Sequence, residues 1–117
     1  MNPAAAVLAP ASGPVYDLLQ HRLARALRAR VRYRYVQPRV LLEEGGSYRI
    51  QSPCCSRTVD AGGGLIDIAL LVPHEGQHWC LCSRDHISQR WVTRCQNQSL
   101  DAVLDLLCVD RERAFWP

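Results

Sequence analysis

Two hydrophobic periods follow one another along this chain, and together they confine it to a mixed fold of helix and sheet. Val15, Leu18, Leu19, Leu23, Ala26 and Leu27 recur at helical spacing. They predict a helix over residues 14–29, with Pro14 after Ser12 and Gly13 suited to its first turn. The period then drops from about 3.6 to about 2 residues. In Val31-Arg32-Tyr33-Arg34-Tyr35-Val36, valine and tyrosine alternate with arginine, the pattern of a half-buried strand that Pro38 ends or marks as an edge. Short turn-bounded runs follow at 39–43, 47–51, 65–72, 77–82 and 89–95, with Glu44-Gly45-Gly46 as a hairpin turn between the first two. The helical period returns at the end, where Ser99 offers an N-cap and Leu100, Val103, Leu104, Leu107 and Cys108 share one face. The expected fold is α+β: an N-terminal helix, a curled antiparallel β-meander and a C-terminal helix.

A length of 117 residues suits one domain with its own core and leaves no room for a second catalytic domain. The alanine- and proline-rich start, residues 1–13, reads as a flexible tail, and residues 14–117 as a single α+β domain. No apolar run approaches the ~20 residues that span a bilayer. The first residues lack the basic region of a secretory signal. The expectation is a cytoplasmic protein without a membrane partner, whose cysteines stay reduced and pack, bind metal or react rather than form a disulfide framework.

Charge is unevenly placed. Arg22, Arg25, Arg28, Arg30, Arg32, Arg34 and Arg39 fall in one stretch with no acid among them, whereas Asp101, Asp105, Asp110 and Glu112 gather near the end. Such a field attracts phosphates or acidic protein surfaces. Arg22, Arg25, Arg28, Arg32 and Arg34 are therefore the candidate binding residues, and nucleic acid or an acidic protein surface the candidate partners. Alternation on one strand turns the tyrosines away from the arginines, which leaves a stripe able to hold a phosphate backbone without reading sequence. The competing structural role is a solvated basic face partly paired with the acidic C-terminal helix.

Ser52-Pro53-Cys54-Cys55-Ser56-Arg57 is the second feature of chemical interest. Tetrahedral zinc takes four ligands from cysteine and histidine, and Cys54, Cys55, His74 and His78 are the candidate set. Cys80 and Cys82 share the same span. The spacing is unlike that of a zinc knuckle: Cys54 and Cys55 are adjacent, and Cys80-x-Cys82 falls on a predicted strand. A thiol-based function is the other reading of this loop, with Arg57 as the cation that depresses a cysteine pKa. No Cys-x-x-Cys or phosphate-loop pattern accompanies it, and Asp60 and Asp67 are as readily turn caps as an acid/base pair. Gly62, Gly63 and Gly64 match no nucleotide-binding pattern. The expected function is a non-catalytic binding or accessory module, with a zinc-stabilised or thiol-based protein centred on the Cys-Cys loop as the alternative.

The later segments carry a family resemblance. Trp79-Cys80-Leu81-Cys82-Ser83-Arg84-Asp85, Arg90-Trp91, and the run from Leu100-Asp101-Ala102-Val103-Leu104-Asp105 to Phe115-Trp116 resemble the small bacterial family named domain of unknown function 3024. A branch of that family also resembles the Ser-Pro-Cys-Cys-Ser-Arg and Gly-Gly-Leu-Ile-Asp-Ile-Ala segments. The resemblance implies a fold and a bacterial source but no activity. Cys82 stands where the family tends to have an aromatic residue, which favours packing over metal ligation at that position.

Overall fold

The computed structural model describes residues 17–31, 36–53 and 64–116. Helix α1 (Leu18–Arg28) is followed by strands β1 (Arg39–Leu42), β2 (Tyr48–Pro53), β3 (Leu65–Pro73), β4 (His78–Asp85) and β5 (Arg90–Ser99), then by helix α2 (Leu100–Val109). The strands form one open sheet in sequence order, each antiparallel to its neighbour. This is the expected α+β meander flanked by two helices. No helix among the described residues is long and apolar enough to cross a membrane.

Register explains the core. Tyr48 pairs with Leu71 and Leu71 with Leu81, while Ile50 pairs with Ala69. All five face the same side, and they bury with Leu23 and Leu27 of α1, Val103 and Leu107 of α2, and the closing Phe115 and Trp116. Both helices thus pack on one face of the sheet. The opposite face carries the row Arg49, Leu70, Cys82 and Thr93.

The element ends show where local chemistry overrides periodicity. α1 begins at Leu18 rather than Pro14, because the Asp17 carboxylate accepts the Gln20 N–H at 3.0 Å and so satisfies an amide that a helix start otherwise leaves without a partner. Gly45 and Gly46 both adopt positive φ, which allows the tight 3₁₀ turn between β1 and β2. β4 runs three residues beyond its expected end. It closes on Asp85, whose carboxylate accepts the N–H groups of Ile87 and Ser88 at 3.0 and 3.2 Å and is held below its ordinary pKa by those bonds. β5 extends through the polar run Gln96 to Ser99, which pairs with β4 although its composition is that of a loop. Asn97, at φ 56°, absorbs the accompanying irregularity in register. Ser99 then caps α2 by accepting the Ala102 N–H at 3.2 Å, as its position predicts. The strand expected at Val31 to Val36 falls mainly on residues 32–35, outside the described residues; Val31 and Val36 themselves are not in strand.

Tyr48 connects sheet to helix. Its hydroxyl donates to Asp17 Oδ2 at 2.8 Å, so one carboxylate both caps α1 and anchors β2. Burial, followed by the hydrogen bond and the charge of Asp17, pushes the phenol from its usual 10 up to about 12. A folded-state pKa above the unfolded value means that the protonated phenol stabilises the fold fully below pH 10, and that this contribution is lost as pH rises through about 12. Tyr48→Phe is therefore expected to lower stability by about 1.5 kcal/mol at neutral pH and to flatten the decline between pH 10 and 12, both read from urea unfolding at stepped pH. A decline as steep as the parent's would remove Tyr48 as its source.

Candidate anion-binding face and adjoining cleft

Helical spacing divides α1 into two sides. Leu23 and Leu27 are fully buried, whereas Arg22, Arg25 and Arg28 recur every three residues along the exposed side. Arg22 donates from Nη2 to Asp101 Oδ1 at 2.7 Å, so the basic helix does pair with the first turn of the acidic one. Both partners are more than half exposed, which limits such a bridge to about 0–1 kcal/mol. Arg25 and Arg28 make no ion pair among the described residues. Arg32 and Arg34 lie outside the described residues.

Arg30 is a correction to the arginine field. It is fully buried, donates to the carbonyls of Leu27 at 2.8 Å and Val36 at 2.9 Å, and stacks its guanidinium 4.2 Å from the Trp116 ring centre. This arginine serves the core. Among the described residues its burial was not legible from spacing, because it lies past the end of the helical period and its ring partner is the closing tryptophan.

A cleft of about 440 Å³ opens beside Arg22, where the starts of both helices meet the β3–β4 turn. Leu19, Pro73, Trp79 and Leu100 give it an apolar lining, and Arg22, Asp101, His74 and His78 a polar one. The turn fixes its histidines differently. His74 Nδ1 accepts the Glu75 N–H at 2.7 Å, which places the ring proton on Nε2. His78 Nδ1 lies 3.2 Å from the Glu75 carbonyl, an acceptor, so in the neutral ring the proton sits on Nδ1 and Nε2 carries the lone pair. In this arrangement His78 alone of the two offers an imine nitrogen to a metal.

Of the candidate zinc set, His74 and His78 are described, and both lie at the β3–β4 turn. β3 has nine residues, and at the usual strand rise its ends stand roughly 26 Å apart. Pro53, the residue before Cys54, pairs with Leu65 at one end, and His74 follows Pro73 at the other. His74 thus follows the end of β3 far from Pro53, the last described residue before Cys54 and Cys55. Those two cysteines, with Arg57 and Asp60, lie outside the described residues. Among the described residues no group of three or more histidine, cysteine or acidic side chains could hold a metal ion.

Cys82, Cys95 and Cys108 are poor nucleophiles. Burial raises the pKa of Cys82 and of Cys95, and pushes Cys108 up to about 11 against the opposing charge of Arg30. Thiols so placed stay protonated near neutral pH and behave as small apolar groups. Asp67 accepts from Gln51 Nε2 at 3.0 Å and lies 3.7 Å from Arg49 and 4.0 Å from Arg84, which makes it a charged tie across the open face of the sheet.

A sequence model of the family described as Domain of unknown function (DUF3024) matches residues 14–117, most of the chain. This protein belongs to the DUF3024 family. No curated protein and no solved structure matches it. The DUF3024 assignment agrees with the resemblance carried by the tryptophan strand and the Phe-Trp ending, and the structure gives that ending a role. Asp110, in the left-handed conformation at the end of α2, accepts the N–H groups of Ala114, Phe115 and Trp116, and Trp116 Nε1 donates to the Leu107 carbonyl at 2.9 Å. Among the described residues, the cleft and the histidine orientations join the burial of Arg30 as features that spacing does not reveal. The signal available was the placing of His74 and His78 on either side of a tight turn.

Proposed function

We propose that this DUF3024 protein is a non-catalytic binding module whose exposed α1 face docks an acidic protein surface. The observation that carries this reading is the contrast along α1: Arg22 has an acidic partner within the fold, whereas Arg25 and Arg28 on the same exposed side have none among the described residues. Leu18, 70% exposed at the start of α1 and one turn before Arg22 on the same side, supplies an apolar anchor beside these charges, and Val31, 64% exposed, follows three residues after Arg28. Guanidinium groups flanked by apolar side chains suit a protein interface better than a phosphate backbone, which has no use for the apolar ends.

The test is salt-dependent retention on immobilised poly-glutamate and, separately, on a single-stranded oligonucleotide. The parent is expected to be held by poly-glutamate, and Arg25→Glu/Arg28→Glu to elute with little or no added salt, since rim charges act through screened attraction. Equal elution of parent and variant would sink the proposal. Stronger retention on the oligonucleotide, with the same loss in the variant, would reassign the face to nucleic acid.

A further inference from the structure

We infer that the cleft between the starts of α1 and α2 and the β3–β4 turn binds a free α-amino acid with a large apolar side chain. Its volume of about 440 Å³ lies within the usual range of small-molecule sites, roughly 300–1,000 Å³. Leu19, Trp79 and Leu100 provide the apolar surface on which a ligand side chain would lie. The polar lining is what selects the class. Arg22 and Asp101 meet through a single contact, Nη2 to Oδ1, which leaves other guanidinium donors and Asp101 Oδ2 without a partner among the described residues. Both histidines line the cleft, and in their neutral forms the Nδ1 contacts with Glu75 leave His74 an Nε2–H donor and His78 an Nε2 acceptor.

A simple anion in this cleft would face Asp101, and a simple cation would face Arg22. A ligand bearing carboxylate and ammonium on one carbon can satisfy both sets, its carboxylate accepting from Arg22 and His74 and its ammonium donating to Asp101 and His78. The resident ion pair is exposed and weak, so little opposes a ligand that inserts its own charges beside it. This inference does not depend on Arg25 or Arg28, and it can fail or stand separately from the docking face.

The test is an NMR titration of the full chain with L-phenylalanine, N-acetyl-phenylalanine and phenylalaninamide, following the Trp79 indole N–H. Phenylalanine is expected to shift that resonance saturably. Each derivative lacks one charge and is expected to bind at least about tenfold more weakly, the effect of losing a charge-assisted hydrogen bond. In Arg22→Gln, phenylalanine should bind no better than phenylalaninamide does. In Asp101→Asn it should bind no better than N-acetyl-phenylalanine. Both substitutions fall on exposed side chains, and unchanged indole shifts of the unliganded variants will show that the fold is kept. Absence of a saturable shift, equal binding of the three compounds, or discrimination that survives both substitutions would overturn the inference.

Discussion

Replacing Asp110 with alanine is expected to lower the thermal midpoint by about 15 °C, because one buried carboxylate holds the whole C-terminal ending in place. Asp110 is 1% exposed, and its two oxygens accept the N–H groups of Ala114 at 2.7 Å, Phe115 at 3.2 Å and Trp116 at 2.9 Å. Alanine leaves these amides without that acceptor, two of them on residues that are themselves buried, and each such loss costs about 1–3 kcal/mol. It also places a residue with no local side-chain hydrogen bond at φ 51°, a conformation that aspartate and asparagine tolerate better. Non-additivity trims the sum, and about 3 kcal/mol is a reasonable net cost. For a domain of this size each kcal/mol shifts the midpoint by about 4–8 °C. Asp110→Asn keeps the backbone tolerance and one oxygen acceptor, and should fall between parent and alanine. Differential scanning calorimetry checks the series, and an alanine variant that melts within two degrees of the parent would show that Phe115 and Trp116 hold themselves in the core.

The consequence of that clasp was not legible in the sequence, although its residues were. Asp110 reads as one more member of an acidic C-terminal cluster, and nothing in its spacing distinguishes it from Asp101 or Asp105, both of which are exposed. What separates them is the left-handed turn that ends α2 and folds Phe115 and Trp116 back onto Leu107, a tertiary event without a periodic signature. The fold class was readable because it rests on periods. α1 and α2 carry helical stripes, and four of the five strands alternate or are closed by glycine and proline, so their boundaries come within a few residues of those observed. β5 was read short because Gln96, Asn97, Gln98 and Ser99 have the composition of a loop, whereas strand pairing needs only backbone groups. The arginine face was half legible: helical spacing places Arg22, Arg25 and Arg28 together, but it cannot show that Arg22 finds Asp101 or that Arg30 turns inward. Of the candidate zinc residues His74 and His78 are described, and their spacing shows that they flank a turn without showing which ring nitrogen each leaves open.

The second large effect is expected at the pair that the clasp positions, Arg30 and Trp116. Trp116→Ala removes a ring that is 2% exposed, its Nε1 bond to the Leu107 carbonyl, and the surface over which the Arg30 guanidinium lies at 4.2 Å. Truncation of a buried tryptophan costs about 3–5 kcal/mol, and the upper part of that range applies because a buried cation loses its stacking partner at the same time. Trp116→Phe keeps an aromatic face and loses the indole bond, for about 1 kcal/mol. Arg30→Met keeps much of the side-chain volume and removes the charge, together with the bonds to Leu27 and Val36. The Arg30 charge also opposes the rise in the Cys108 thiol pKa, so the methionine variant should show Cys108 still less reactive toward a thiol reagent at alkaline pH. A double-mutant cycle of Arg30→Met with Trp116→Ala isolates the stacking. A coupling of about 1–2 kcal/mol is expected for a desolvated cation over an indole. Additive costs, with no coupling beyond the error of urea unfolding, would mean that arginine and tryptophan are merely neighbours, each held by its own carbonyl partners.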